Sequence, residues 1–280
     1  MTEILRYAAF SANPQGGNPA GVVLDARGLD DTAMQTIAAE VGFSESAFLI
    51  DRGDGSSDVR YFSPLAEVPF CGHATIAAAV AYAERHGTGT LTMSTRAGPV
   101  VVATTDRDGT ITARSTSVPP RSAALRDDDL SLLLATLDWD ALDLDPAMPP
   151  RVAYAGAWHP ILAAETRGRL ADLQYNMAAL GALMAHHEWT TIHLVWRQSA
   201  TVFHARNPFP PGGVYEDPAT GAAAAAFGGY LRELRLIPLP ATITIHQGDD
   251  MGRPGLLTVD IPAETGTGIS VSGTAVAMPE

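Results

Sequence analysis

Four side chains in this 280-residue chain have the types and neighbours for proton-transfer or nucleophilic chemistry. Glu45 stands in Gly42-Phe43-Ser44-Glu45-Ser46-Ala47-Phe48-Leu49, a carboxylate wedged between apolar groups where a turn gives way to a strand. Partial desolvation there would raise its pKa and suit it to carrying protons. The plainer reading is an exposed glutamate at a strand start. His73 follows Cys71-Gly72, where an imidazole can donate to a substrate carboxylate, shuttle a proton near neutral pH, or serve only as a satisfied structural group. Cys71 is either a helix-start thiol of lowered pKa or a buried, inert neighbour of Phe70. Asp217 precedes Pro218, and that pair reads equally as a functional acid or as a helix N-cap with a first-turn proline.

These residues fall in a device that occurs twice. Phe70-Cys71-Gly72-His73-Ala74-Thr75 opens an alanine-rich run, and Glu216-Asp217-Pro218-Ala219-Thr220-Gly221 opens another at Ala222. Each reads as a polar turn feeding the N-terminus of a buried helix. Two such ends facing one another would offer unpaired N–H groups and positive dipole ends to an anionic substrate. Thr220-Gly221-Ala222 also lets the backbone approach a ligand closely. His186-His187-Glu188 and the scattered His159, His193, His204 and His246 show no metal-ligand spacing, so no metal is expected. The segment 248–255 places Arg253 near an anion, or is simply a hairpin loop. There is no dinucleotide fingerprint.

Composition narrows the chemistry. A formal charge of −13 disfavours nucleic acid and anionic membranes as partners, while leaving a small anionic substrate open. The chain contains no lysine, which removes Schiff-base chemistry, lysine-anchored pyridoxal phosphate and the lysine-dependent phosphate loop. Its single cysteine, Cys71, rules out an internal disulfide and any mechanism needing two thiols. At 46% hydrophobic and 18% charged residues, with no apolar run of ~18 residues, it has a globular composition and no membrane span is expected. The first residues lack the basic region and apolar core of a secretory signal, which predicts a cytoplasmic location.

The elements that must position these groups are short strands with one long helix in each half. Strands are expected over 5–10, 20–24, 43–50, 59–62, 91–94, 100–104 and 110–114, with helices over 31–40 and 73–86. Pro119-Pro120 and Pro149-Pro150 bracket an acidic segment with a short helix over 130–137, the expected domain junction. The second half repeats the order: strands over 152–155 and 161–164, a helix over 170–186, and strands over 191–195 and 201–205. The second repeat helix follows, then strands over 241–246, 255–261 and 268–277. This pattern predicts an α+β fold of two similar lobes, 1–117 and 118–280.

Five separated motifs give the chain a specific resemblance. Gly17-Asn18-Pro19-Ala20-Gly21-Val22, Ser44-Glu45-Ser46-Ala47-Phe48, the two helix-opening motifs, and Gln247-Gly248 with Gly252-Arg253-Pro254 occur in the order found in PhzF-like isomerases. That family, of phenazine-biosynthesis F-type enzymes, shares the diaminopimelate epimerase fold. The resemblance implies two pseudo-symmetric lobes, each a barrel-like mixed sheet around a central helix, with the active site in the cleft between them. It implies a last strand, near 268–278, that returns to the first lobe. It further implies a cofactor-independent, often homodimeric enzyme in which Glu45 is the acid/base and His73 and Asp217 position the substrate and assist. Gly72 and Gly221 would present backbone N–H groups, with Asn18 near the cleft. Ala222 stands where many members carry Ser, and Ser46 where Thr is common, which leaves the substrate open.

The expected function is therefore an isomerase that moves a proton between carbons of a small unsaturated or hydroxylated carboxylate. Its rivals are a catalytically inactive small-molecule-binding or regulatory protein on the same fold, and a Cys71-dependent hydrolase or transferase.

Overall fold

The computed structural model describes residues 2–279, which divide into two units. The first contains residues up to Thr116 together with the segment from Ser272 onward, and the second is Ser117–Val271.

In the first unit the strands are β1 (Leu5–Ala9), β2 (Asn18–Val23), β3 (Glu45–Asp51), β4 (Ser56–Phe62), the two-residue β5 (Glu67–Val68), β6 (Thr90–Thr95), β7 (Gly98–Arg107) and β8 (Thr110–Thr116). The helices are α1 (Asp31–Val41) and α2 (Gly72–His86). β1–β2, β3–β4, β6–β7 and β7–β8 pair antiparallel, whereas β2–β3 and β4–β6 pair parallel. The ring is closed by a strand from the far end of the sequence, Ser270–Ala277, which pairs with β1 and β8 and sets Ala277 opposite Tyr7. Eight strands thus form a closed barrel among the described residues, and closure leaves the ring no free edge.

α2 fills that barrel. His73 to Ala81 and Ala83 are all buried, so the helix is surrounded on every side, which is the reason for its alanine content: a narrow barrel admits only a slender helix. α1 lies outside. Asp30 caps it by accepting from the Ala33 N–H at 2.8 Å, and Gly42 ends it in the left-handed region at φ 72°. Its Met34 and Ala38 pack on Val23, Phe48 and Phe62. β3 therefore has α2 on one face and α1 on the other. This accounts for its continuous buried run Ser46–Leu49 in place of an alternating pattern.

The second unit repeats this scheme. It comprises β9 (Arg121–Ala124), α3 (Asp127–Thr136), β10 (Arg151–Tyr154), β11 (Trp158–Ala163), α4 (Arg167–Ala171), α5 (Met177–His187) and β12 (His193–Arg197). There follow β13 (Val202–Pro208), the two-residue β14 (Glu216–Asp217), α6 (Gly221–Glu233), β15 (Ala241–Gln247) and β16 (Gly255–Ile261). The closing strand of the first unit is then β17. β11–β12 and β13–β15 are parallel and β10–β11, β12–β13 and β15–β16 antiparallel, the alternation of β2–β3, β4–β6 and their neighbours. α6, buried from Ala223 to Arg232, takes the part of α2. Each unit is thus a mixed sheet around one central alanine-rich helix, in the expected α+β class.

The single helix expected over 170–186 is two. α4 stops at Asp172, and α5 restarts after Asn176, whose side chain accepts from the Ala179 N–H at 2.9 Å. A good N-cap in mid-segment outcompetes helix continuation. α3 covers the acidic segment and packs Leu133, Leu134 and Leu137 against Leu180, Met184 and Trp189. No helix among the described residues is long and apolar enough to cross a membrane.

Candidate active site

In the first unit the site is built where β3 begins and α2 begins. Glu45 is the first residue of β3, held in parallel register beside Ala20 of β2, and Asn18 starts β2 as a buried residue. β5 ends at Val68, and Cys71 has an extended conformation (φ −144°, ψ 116°) at the N-cap position of α2. The Cys71 side chain makes no capping bond, so the N–H groups of the first turn, starting at Gly72, are directed ahead of the helix. That first turn is pinned from behind: Thr75 Oγ1 donates to the Cys71 carbonyl at 2.7 Å and pairs with the Tyr61 hydroxyl at 2.6 Å. Burial drives the Tyr61 pKa upward, keeping it a neutral hydroxyl.

This arrangement brings Glu45 against Cys71 and His73, a pair of α2-head residues that lies 26 or more positions further along the chain. His73 Nε2 lies 3.6 Å from Glu45 Oε2 and 3.4 Å from Ser44 Oγ. Cys71 Sγ lies 3.5 Å from Glu45 Oε2 and 3.3 Å from His73 Nδ1. The Glu45 side chain is 13% exposed and that of His73 only 6%, so the carboxylate keeps access to a ligand while the imidazole is walled in. Glu45 is accordingly not the exposed strand-start glutamate of the plainer sequence reading. Cys71 is buried and lies against both other groups.

In the second unit the matching turn has a different local structure from the one expected. Asp217 does not cap α6, and Pro218 is not in its first turn. β14 pairs with β13, setting Asn207 opposite Asp217, and the helix starts only at Gly221 after Thr220 as N-cap. Cross-strand pairing holds 216–217 extended and moves the helix start downstream. Asp217 is buried, and Thr220 Oγ1 donates a short hydrogen bond to its carboxylate. Gly221 and Ala222, at the head of α6, are part-exposed.

A polar network that the sequence motifs barely signalled supports this turn. Gln247 donates to the Asp217 carbonyl at 2.8 Å and to Thr220 Oγ1 at 3.0 Å, and accepts from the Thr220 N–H at 3.1 Å. Asn207 connects it to the core, with its amide nitrogen on His193 Nδ1 at 2.8 Å and its oxygen accepting from Gln247 at 3.0 Å and standing 2.7 Å from Thr220 Oγ1, whose one proton goes to Asp217. His193 is fully buried, and burial lowers its pKa to about 4, so it enters the network as a neutral acceptor. Asp217, Thr220 and Gln247 fall within recognised motifs, whereas Asn207 and His193 carry no local signal. Gly248 must be glycine, since at φ 87° a Cβ would stand 2.3 Å from the Arg253 carbonyl oxygen and 2.8 Å from that of Pro218. Arg253 sits on the loop between β15 and β16, an antiparallel hairpin.

Known proteins share this plan across the whole chain. The chain is 30% identical over 274 residues to a trans-2,3-dihydro-3-hydroxyanthranilate isomerase of Pseudomonas chlororaphis, covering 96% of this chain and 94% of that one. An uncharacterized isomerase of Mesorhizobium japonicum is 31% identical over 292 residues, covering 94% of this chain and 91% of the relative. Among solved structures, a phenazine biosynthesis protein of the PhzF family from Bacillus anthracis superposes with a TM-score of 0.90 at 26% identity, covering 99% of this chain and 97% of that one. The family model of phenazine biosynthesis-like proteins matches residues 7–280. With a duplicated sheet-and-helix plan, a carboxylate and an imidazole gathered at one helix head, and relatives named as isomerases along its length, the chain belongs to the phenazine biosynthesis-like (PhzC-PhzF) family and is an isomerase.

Proposed function

We propose that the chain catalyses an intramolecular proton shift on a small unsaturated or hydroxylated carboxylate, with Glu45 as the acid/base and no cofactor. The observation that carries this reading is the 3.6 Å approach of Glu45 Oε2 to His73 Nε2 beside the uncapped first turn of α2. Glu45 takes a proton from a carbon made acidic by the neighbouring unsaturated system. The first-turn N–H groups at Gly72 stabilise the negative charge that develops, and the proton returns at a different carbon. His73 orients the Glu45 carboxylate and donates to the substrate. In the second unit Asp217 is an assisting acid, with Gly221 and Ala222 as substrate-binding backbone; Asn18 has the same binding role in the first unit. Family resemblance supports these assignments, and also a homodimer in the cytoplasm.

Solvent-deuterium uptake followed by NMR tests this function. The panel is cyclic and acyclic unsaturated or hydroxylated carboxylates, including trans-2,3-dihydro-3-hydroxyanthranilate, the substrate in the name of the Pseudomonas relative. Wild type is expected to exchange or isomerise at least one compound. Glu45→Gln should lose roughly 10²–10⁴-fold in rate, the usual worth of a positioned acid/base. Tight binding without exchange by wild type would instead favour an inactive binding protein.

A further inference from the structure

Three chemically different donors meet at the head of α2. Glu45 Oε2 lies 3.5 Å from Cys71 Sγ and 3.6 Å from His73 Nε2, and Sγ lies 3.7 Å from the same nitrogen. Zinc bonds run about 2.3 Å to thiolate, about 2.0–2.1 Å to imidazole and about 2.0–2.2 Å to carboxylate; at tetrahedral angles the donor atoms then stand roughly 3.3–3.6 Å apart. The triangle in this protein already has nearly those edges. Among the described residues it is the one group of three His, Cys, Asp or Glu donors close enough to share an ion.

We propose that Glu45, Cys71 and His73 bind one Zn2+ ion per chain, with water in the fourth position, and that the ion silences the proton shift. Three protein donors plus an open position is a familiar zinc arrangement, and the thiolate selects a soft ion over Mg2+ or Ca2+. Cys71 and His73 are buried, whereas the Glu45 side chain keeps a route to solvent, so an ion enters from the Glu45 side. As the Zn–S bond forms, the Sγ–H bond breaks and its proton goes to the buffer; no electrons change hands. The ion takes the Glu45 lone pair on which the proposed chemistry depends. The nearest rivals, His187 with Asp129 and His204 with Asp249, each at 3.4 Å, offer two donors only.

The inhibitory consequence rests on Glu45 being the base; the metal site does not. Co2+ titrated into the metal-free full chain separates them, since its spectrum needs no substrate. The expected result is a thiolate-to-cobalt charge-transfer band in the near ultraviolet with the visible bands of a tetrahedral centre. Both should saturate at one equivalent and be displaced by Zn2+. Cys71→Ser should abolish the charge-transfer band. Glu45→Gln and His73→Gln should each weaken binding by at least the roughly 10-fold that even an outer-sphere partner is worth. A wild-type titration with no charge-transfer band, or with only the weak bands of octahedral Co2+ on surface histidines, would overturn the site. If the site forms and the metal-free enzyme exchanges deuterium, one equivalent of Zn2+ should stop that exchange; unchanged exchange would overturn the inhibitory role alone.

Discussion

Arg206 holds Glu216 through two parallel hydrogen bonds, Nε to Oε1 at 2.9 Å and Nη2 to Oε2 at 2.5 Å, on the strand residue that immediately precedes Asp217. Both side chains are sequestered, at 10% and 3% exposure, and Arg206 also donates to the Ala171 carbonyl at 2.6 Å. The pair fixes β14 and therefore the direction of its neighbour. Removing one partner strands a buried charge, so Glu216→Ala should cost about 3–5 kcal/mol in urea denaturation. Replacing both residues with Met and Leu should recover most of that loss.

His159 and His193 make the protein acid-sensitive. Burial lowers their pKa values to about 3 and about 4, and His193 also disfavours the charged form of His159. Each binds a proton more weakly folded than unfolded, so their contribution to stability is complete above the unfolded value near ~6.5. It is lost as pH falls through the range from ~6.5 to about 4 and then about 3. Unfolding free energies from urea titrations between pH 7 and pH 4 should drop, by about 3 kcal/mol for His193 alone. His193→Gln should flatten that part of the profile.

Gly248→Ala should destabilise by about 1–3 kcal/mol, because the new Cβ meets two carbonyl oxygens in a positive-φ conformation. One of those oxygens belongs to Pro218, next to Asp217. The rate of deuterium exchange should therefore fall more than the denaturation midpoint alone would account for.

Gln247→Leu keeps the volume of the side chain while removing its bonds to Thr220 and the Asp217 carbonyl. The expected cost is about 2–3 kcal/mol, measurable by thermal denaturation, as buried partners lose their hydrogen bonds.

What could be seen in the sequence was local. The acidic start and glycine stop of α1, the alanine runs of α2 and α6, and the β15–β16 hairpin all follow from patterns a few residues long. Glu45 and His73 were legible because each sits in a motif. The misread features depend on distant partners. Asp217-Pro218 resembles a helix cap until β13 is available to pair with it, and two-residue strands such as β5 and β14 are too short for any periodicity. The meeting of Cys71 with Glu45 spans 26 positions and rests on the barrel, so no spacing rule finds it. Asn176, by contrast, was a visible cap inside the segment read as one helix.

β17 gives the first barrel its closing strand, placing Ala275–Ala277 against Tyr7–Ala9. On the ribosome, everything else in that barrel emerges more than 150 residues before this strand does. Until then β1 and β8 are open edges, templates for any passing strand. The newborn first half must either wait in the care of chaperones or risk pairing with a neighbour. Supplying the 270–279 segment as a separate peptide to a truncated chain is a direct way to watch that wait end.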